Sequence, residues 1–400
     1  HRKWIQAGIQ DRQVLSAYRY VQEREACVLL NSLVDDGDGY EGYVKRYAAA
    51  ILTYIAYGHT VTSLSDPLLK LADKATTETV RAGSPGSNPL GALVEFYPGL
   101  KNYPMWLPGS GFRVKTEEVR GHVRKMMDVP YEMVKEEFKT GRATPCLTSG
   151  LLEDHLSTRD HDTSKLSVME EEDIKGAAGV LYAGAYRCSI SVMTSFLLYM
   201  TLHPRVFLKA QQEMDRVVGT DRLPTWEDRE SLEYLECVFR EVLRCTSPAP
   251  LGIPHATAKE DIYKGYLIPK GSMVIVNIWG MLHNSDIYPD PDKFVPERYE
   301  GLSKEELEKV DPRGVVFGFG RRRCPGEQLA DASAYLMMSY IISTMDISPY
   351  KDERGKEVRP NGEFYSGFVL HPKSFKCSIR PRSEKAVKLV REMGMLSSAQ

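Results

Sequence analysis

The residues best suited to chemistry stand in one short run, Phe317-Gly318-Phe319-Gly320-Arg321-Arg322-Arg323-Cys324-Pro325-Gly326, followed by Glu327-Gln328-Leu329-Ala330. A glycine-rich loop runs straight into a helix there, and Pro325 suits a first helical turn. Cys324 is thereby placed at a helix N-terminus, where free N–H groups and the dipole favour a thiolate. Glycines let the backbone approach a flat ligand closely, and Arg322 can pair with a carboxylate. A thiolate, close-approach glycines and a carboxylate-binding guanidinium together suit an iron porphyrin with propionate arms. For a lone cysteine, an inert buried thiol in a basic loop is the stronger reading, so the case rests on the whole run.

That run resembles the haem-binding signature of the cytochrome P450 family, F-x-x-G-x-R-x-C-x-G, with Phe317, Gly320, Arg322, Cys324 and Gly326 at its fixed positions. Two further stretches follow the family order: Glu241-Val242-Leu243-Arg244, matching E-x-x-R, and Phe294-Val295-Pro296-Glu297-Arg298-Tyr299, resembling P-E-R-F. The resemblance implies a mainly α fold with a small β portion. It makes Cys324 the iron ligand and haem b the cofactor. It also joins Glu241, Arg244 and Arg298 in a buried charge triad behind the cysteine loop. Ile253-Pro254-His255-Ala256-Thr257 and Asn277-Ile278-Trp279 look like microsomal fungal members, which makes His255 a second propionate partner. Arg2 falls where the family has the arginine of a W-x-x-x-R motif.

The family's central helix carries A/G-G-x-D/E-T-T/S, whose acid and alcohol relay protons to the oxygen being activated. The aligned residues here are Gly184-Ala185-Tyr186-Arg187-Cys188-Ser189, anchored on Thr194-Ser195-Phe196 downstream. Gly184 and Ala185 leave room for oxygen and substrate. Arg187 stands for the acid and Cys188 for the alcohol, and a thiol is a weak donor. Ser189 lies about 100° further round the helix and is expected to substitute only through a local bulge. Ordinary family drift, with water as the relay, is the plainer alternative to altered chemistry.

The implied activity is insertion of one oxygen atom from O2 into an apolar small molecule. Electrons would come from NADPH through a separate flavoprotein reductase, since the chain carries no flavin or nicotinamide motif. Arg321 and Arg323 beside Arg322 would offer that partner a basic patch, or form a solvated loop. Substrate is expected against Leu181 to Tyr186, Ala249 to Ile253 and Tyr365-Ser366-Gly367-Phe368. A peroxide-using or rearranging enzyme and a non-catalytic haem-binding remnant are the rival readings.

The elements that must position these residues are mostly helical. Glu170 to His203 is the longest candidate: it opens on acids and ends before Pro204, and its small, apolar middle suits burial on most sides. Arg229 to Cys245 and Gly326 to Thr344 are further helices. Between them lies a short β meander with turns at Lys264-Gly265 and Lys270-Gly271. Gly83 to Pro89 and Tyr97 to Gly111 are loops. No linker divides the chain, so residues 1–400 are expected to form one domain. The start, His1-Arg2-Lys3-Trp4-Ile5, suggests an N-terminally shortened chain, and an anchor upstream would place the full protein on the cytosolic face of the endoplasmic reticulum.

Composition narrows the field. A net charge of −2 argues against nucleic-acid binding. The seven cysteines form no C-x-x-C pair, which argues against structural zinc, and their odd number in a long chain argues against a disulfide scaffold. No segment approaches the roughly 18 apolar residues of a spanning helix.

Overall fold

A computed structural model of the protein describes residues 1–9, 12–83, 93–94, 97–107, 109–157, 161–365 and 367–398. The loop expected over Gly83 to Pro89 lies, beyond Gly83, outside the described residues, as does Ser366. The first half folds as α1 (Arg2–Ile9), α2 (Arg12–Asp35), α3 (Tyr40–Tyr57), α4 (Pro67–Gly83), α5 (Gly111–Lys139) and α6 (Leu147–Leu156). Then come α7 (Val168–Leu202), α8 (Pro204–Val217) and α9 (Glu233–Cys245). The apolar Ala48 to Tyr57 run is the buried end of α3 and packs along α7.

Among the described residues strands appear only late. β1 (His255–Ala256) pairs with β4 (Met273–Val274), and β2 (Asp261–Tyr263) forms a hairpin with β3 (Tyr266–Ile268). Lys264 and Gly265 turn that hairpin at φ 49° and 83°, the left-handed pair such a tight turn demands. After α10 (Ile278–Leu282), α11 (Lys304–Val310), α12 (Arg313–Val316) and α13 (Glu327–Thr344), a three-stranded sheet runs in the order β6 (Glu357–Val358), β5 (Met345–Lys351), β9 (Cys377–Pro381). β7 (Phe364–Tyr365) pairs with β8 (His371–Pro372), and α14 (Glu384–Ser398) closes the described chain against α2. The mainly helical fold with a small late β portion is the one read from the sequence.

α7 is the axis. Ser167 caps it: its hydroxyl accepts from the Glu170 N–H at 3.2 Å, while the Glu170 carboxylate accepts from the Ser167 N–H at 2.8 Å. Two orphan donors of the first turn are thus satisfied reciprocally. Because α3, α9 and α13 pack around it, α7 is buried on most faces, which is why its sequence lacks an apolar stripe. α9 begins at Glu233, later than the Arg229 start expected. Glu213 of α8 accepts from the Tyr234 and Leu235 N–H groups at 2.7 and 2.9 Å and sets the boundary, and Glu227–Ser231 remains a separate 3-10 turn. Among the described residues no helix is long and apolar enough to cross a membrane.

Ser167→Ala removes the side-chain half of the α7 cap. It is expected to cost about 1 kcal/mol, seen as a lower urea midpoint at unchanged slope. An unchanged midpoint counts against the cap.

Candidate active site

The cysteine loop is shaped by its backbone. Gly318 at φ 76° reverses the chain after α12, Phe319 is extended, and Gly320 at φ 55° opens a 3-10 turn over Gly320–Arg322. The Cys324 N–H then donates to the Phe317 carbonyl at 2.7 Å and closes the loop. A Cβ on Gly318 or Gly320 would meet nothing within 4 Å, so both glycines present bare backbone to open space. Helix α13 is capped at Gly326 and starts at Glu327, so Pro325 lies just ahead of the first turn and not in it.

Cys324 is exposed to solvent, yet enough of the chain surrounds its sulfur to disfavour the charged form. That crowding raises its thiol above the usual range, against the Gly326 N–H that donates to the sulfur and against Arg2 and Arg323 nearby. The helix-terminus effect expected from the sequence is present but outweighed by desolvation. A bound cation is what would hold the sulfur as thiolate.

Beside Gly326 lies a narrow apolar cleft. α3 contributes Ala48, Ile51 and Leu52, α13 contributes Leu329, Ala330 and Ser333, and α7 contributes Leu181, Ala185, Ser189 and Met193. The four α7 residues recur every fourth position and form one stripe. Ser189 therefore reaches the cleft from a regular helix, and the bulge expected to bring it there is absent. Burial first, and the nearness of Cys324 next, push the Cys188 thiol up to about 12, so α7 also brings Cys188 towards Cys324. Arg187 stands about 200° round the helix from Ala185. Its Nη1 donates to the Thr77 hydroxyl of α4 at 3.3 Å, and its Nε is buried without a hydrogen-bond partner.

An iron porphyrin fits what these residues offer: an accessible sulfur, bare glycine backbone in the same loop, an apolar slot and guanidinium groups on and against the cysteine loop. Arg322 is exposed and makes no ion pair among the described residues. Arg2 is brought to the loop, where its guanidinium donates to the Arg323 carbonyl. Arg323 itself is taken by Glu327 at 2.6 Å. His255 stands exposed on β1, its backbone paired with Val274. Just outside the Ala249–Ile253 and Tyr365–Phe368 segments, the Leu370 N–H donates to the Pro248 carbonyl at 2.9 Å and the Ser191 hydroxyl of α7 donates to the Leu370 carbonyl.

Glu241 and Arg244 are fully buried on α9 and meet at 2.8 and 2.9 Å, and Arg298 donates to Glu241 at 3.1 Å. The Val295 N–H and Tyr299 hydroxyl complete the carboxylate's partners at 2.9 and 3.2 Å. Arg244 also donates to the carbonyls of Leu282, Pro291 and Lys293. The triad thus fastens residues 282–299 to α9, and among the described residues none of its hydrogen bonds reaches the cysteine loop. Sequence reasoning missed a second charge cluster, built from Glu236, Arg240, Asp311, Arg313 and Asp331 with Arg229. Its only signal was the acid–base alternation around the loop.

Comparison with known proteins agrees with this geometry. The family model described as cytochrome P450 matches residues 19–379. The chain is 45% identical over 393 residues to cytochrome P450 monooxygenase 136 of Postia placenta, covering 98% of this chain and 73% of that one. It is 40% identical over 391 residues to cytochrome P450 monooxygenase 176 of the same fungus, covering 98% and 74%. It is 37% identical over 394 residues to cytochrome P450 monooxygenase claR of Ampulloclitocybe clavipes, covering 98% and 71%.

Glu241→Ala leaves two buried guanidinium groups short of their carboxylate, and Arg244→Ala or Arg298→Ala leaves the carboxylate short of a guanidinium. Each is expected to cost about 3–5 kcal/mol, measured as a lower melting temperature and lost haem content. Native values of both in any one variant contradict the buried triad.

Proposed function

The chain belongs to the cytochrome P450 family of oxidoreductases, and from that premise we propose that it is a haem-thiolate monooxygenase acting on an apolar small molecule. The single observation that carries this reading is Cys324, exposed beside an apolar cleft that runs between α7 and α13. Haem b, when bound, supplies the redox chemistry, its thiolate ligand donating electron density that favours cleavage of the O–O bond. One oxygen atom of O2 enters the substrate and the other leaves as water, with two electrons from NADPH through a separate flavoprotein reductase.

The chain's own residues bind, orient and supply protons. Cys324 donates the sulfur, the Gly326 N–H steadies it, and Phe317 and Gly320 shape the loop. Arg322, Arg2 and His255 are the candidates for the propionates. Gly184 and Ala185 keep one stretch of α7 free of bulk. The segment from Leu181 to Met193 contains no carboxylate, so a proton reaches the cleft from the Ser189 hydroxyl, from water, or from the weak donor Cys188. Arg187, turned to α4, serves helix packing. The exposed Arg321 gives an acidic electron-donating partner a charged contact. If the full protein has an anchor upstream, that surface works at the cytosolic face of the endoplasmic reticulum.

A peroxide-using or rearranging enzyme is the second reading, favoured by the thiol at the alcohol position. Two variants test the whole account. Cys324→Ser is expected to abolish the thiolate-type spectrum of the ferrous–CO protein; if it keeps that spectrum, the ligand assignment is wrong. Cys188→Thr gives α7 a full hydroxyl donor and is expected to lower the hydrogen peroxide released per NADPH consumed, whereas Arg187→Asp, on the far face, changes it less. Equal release in native and Cys188→Thr protein refutes an impaired relay and leaves Ser189 or water as the route.

A further inference from the structure

The charge triad on α9 leaves the cysteine loop itself unfastened, and a second network does that work. Arg313, in α12 just ahead of the loop, reaches three carboxylates: Asp331 at 2.6 Å, Glu236 at 2.7 Å and Asp311 at 3.3 Å. The Glu236 contact is a close ion contact without hydrogen-bond alignment. Asp331, in α13 just after the loop, also takes Arg229 at 2.6 Å. Arg240 joins Asp311 at 3.0 Å to Glu236 at 3.3 Å, and Arg229 returns to Glu236 at 3.1 Å. Three guanidinium and three carboxylate groups alternate, so the cluster is neutral. None of the six side chains is more than 25% exposed. Tyr335 and Phe239 rings cover Arg229 and Arg313 at 4.1 and 4.9 Å.

The layout fits a clamp. Glu236 and Arg240 are four apart on one face of α9; Asp311 and Arg313, ahead of the loop, pair with them directly, and Asp331, after the loop, is joined to them through Arg313 and Arg229. The clamp also reaches the loop's interior, because the Arg313 carbonyl accepts from Arg323 at 3.0 Å, next to Cys324.

We propose that this six-member network is the positioning device for Cys324: it fixes the two ends of the loop against α9 so that the sulfur faces the cleft. The inference rests on Cys324 being the iron ligand. Its members are positioning residues and touch neither substrate nor haem.

The test uses the full chain, with and without haem. Asp331→Asn keeps the shape of the side chain and removes its charge from between two guanidinium groups. In the haem-free chain, amide hydrogen exchange of residues 317–324, the Cys324 N–H above all, is expected to accelerate about tenfold while α7 and β5 are unchanged. In the haem-loaded chain, a smaller share of the bound haem gives the thiolate-type CO spectrum. Asp215→Asn, which breaks the distant Arg382–Asp215 pair of 2.7 Å, is the control for general destabilisation and alters neither. Unchanged loop exchange in folded Asp331→Asn protein overturns the proposal, and so does an acceleration spread evenly over the chain. Should Asp331→Asn not fold, Arg229→Gln, at the more exposed end of the network, is read by the same two measurements and the same criteria. If native protein lacks the thiolate-type spectrum but the exchange result holds, the ligand reading fails and the clamp stands.

Discussion

A cysteine that is to hold iron has to stand free of its own loop, and the loop has to be fixed by something other than the sulfur. Here the first condition is met by a single closing hydrogen bond, from the Cys324 N–H to the Phe317 carbonyl at 2.7 Å. That bond is possible because Gly318 and Gly320 adopt left-handed backbone, which L side chains adopt only with strain. The price of this exposed arrangement is that the loop has few apolar contacts of its own: Phe319 is 44% exposed and Arg321 and Arg322 face solvent. Its position therefore depends on what grips its ends.

α9 supplies the grip on two faces. Glu241 and Arg244 fasten residues 282–299, and Glu236 and Arg240 fasten the chain just ahead of the cysteine loop, with Arg313 and Arg229 carrying the connection on to Asp331 after it. Each carboxylate is surrounded by several donors, as burial of a charge requires. The same principle explains Asp331: burial alone raises its carboxyl, yet Arg313 and Arg229 beside it bring it below the usual range. Charge pairs of this kind add little net stability compared with apolar packing, but their donor geometry selects one arrangement among many. On the opposite side α7, held by its cap and by packing against α3 and α13, presents a stripe of small and apolar residues. The cleft lies between a packed wall and an ion-clamped loop.

The chemistry was legible in the sequence wherever it is local. The loop from Phe317 to Gly326, the Glu241–Arg244 spacing, the acid-first long helix and the Lys264-Gly265 turn all follow from short-range rules about backbone and charge. What depends on distant partners was not. The Glu236–Arg313–Asp331 connection joins three separate helices, and no spacing rule spans them. The start of α9 is set by Glu213 of another helix. Which of Arg187, Cys188 and Ser189 faces the cleft depends on the rotation of α7 about its axis, fixed by Tyr182 donating to the Leu68 carbonyl at 2.9 Å and by its other neighbours. The acidity of Cys324 is likewise a matter of desolvation by the surrounding chain, which outweighs the helix terminus that the sequence reveals.

The central claim is a bond between the Cys324 sulfur and iron, and X-ray absorption at the iron edge of the haem-loaded chain tests it most directly. The account predicts one sulfur bound to iron in the native protein and its loss in Cys324→Ser. An iron surrounded only by nitrogen and oxygen in the native protein, or a sulfur that persists in Cys324→Ser, would contradict it.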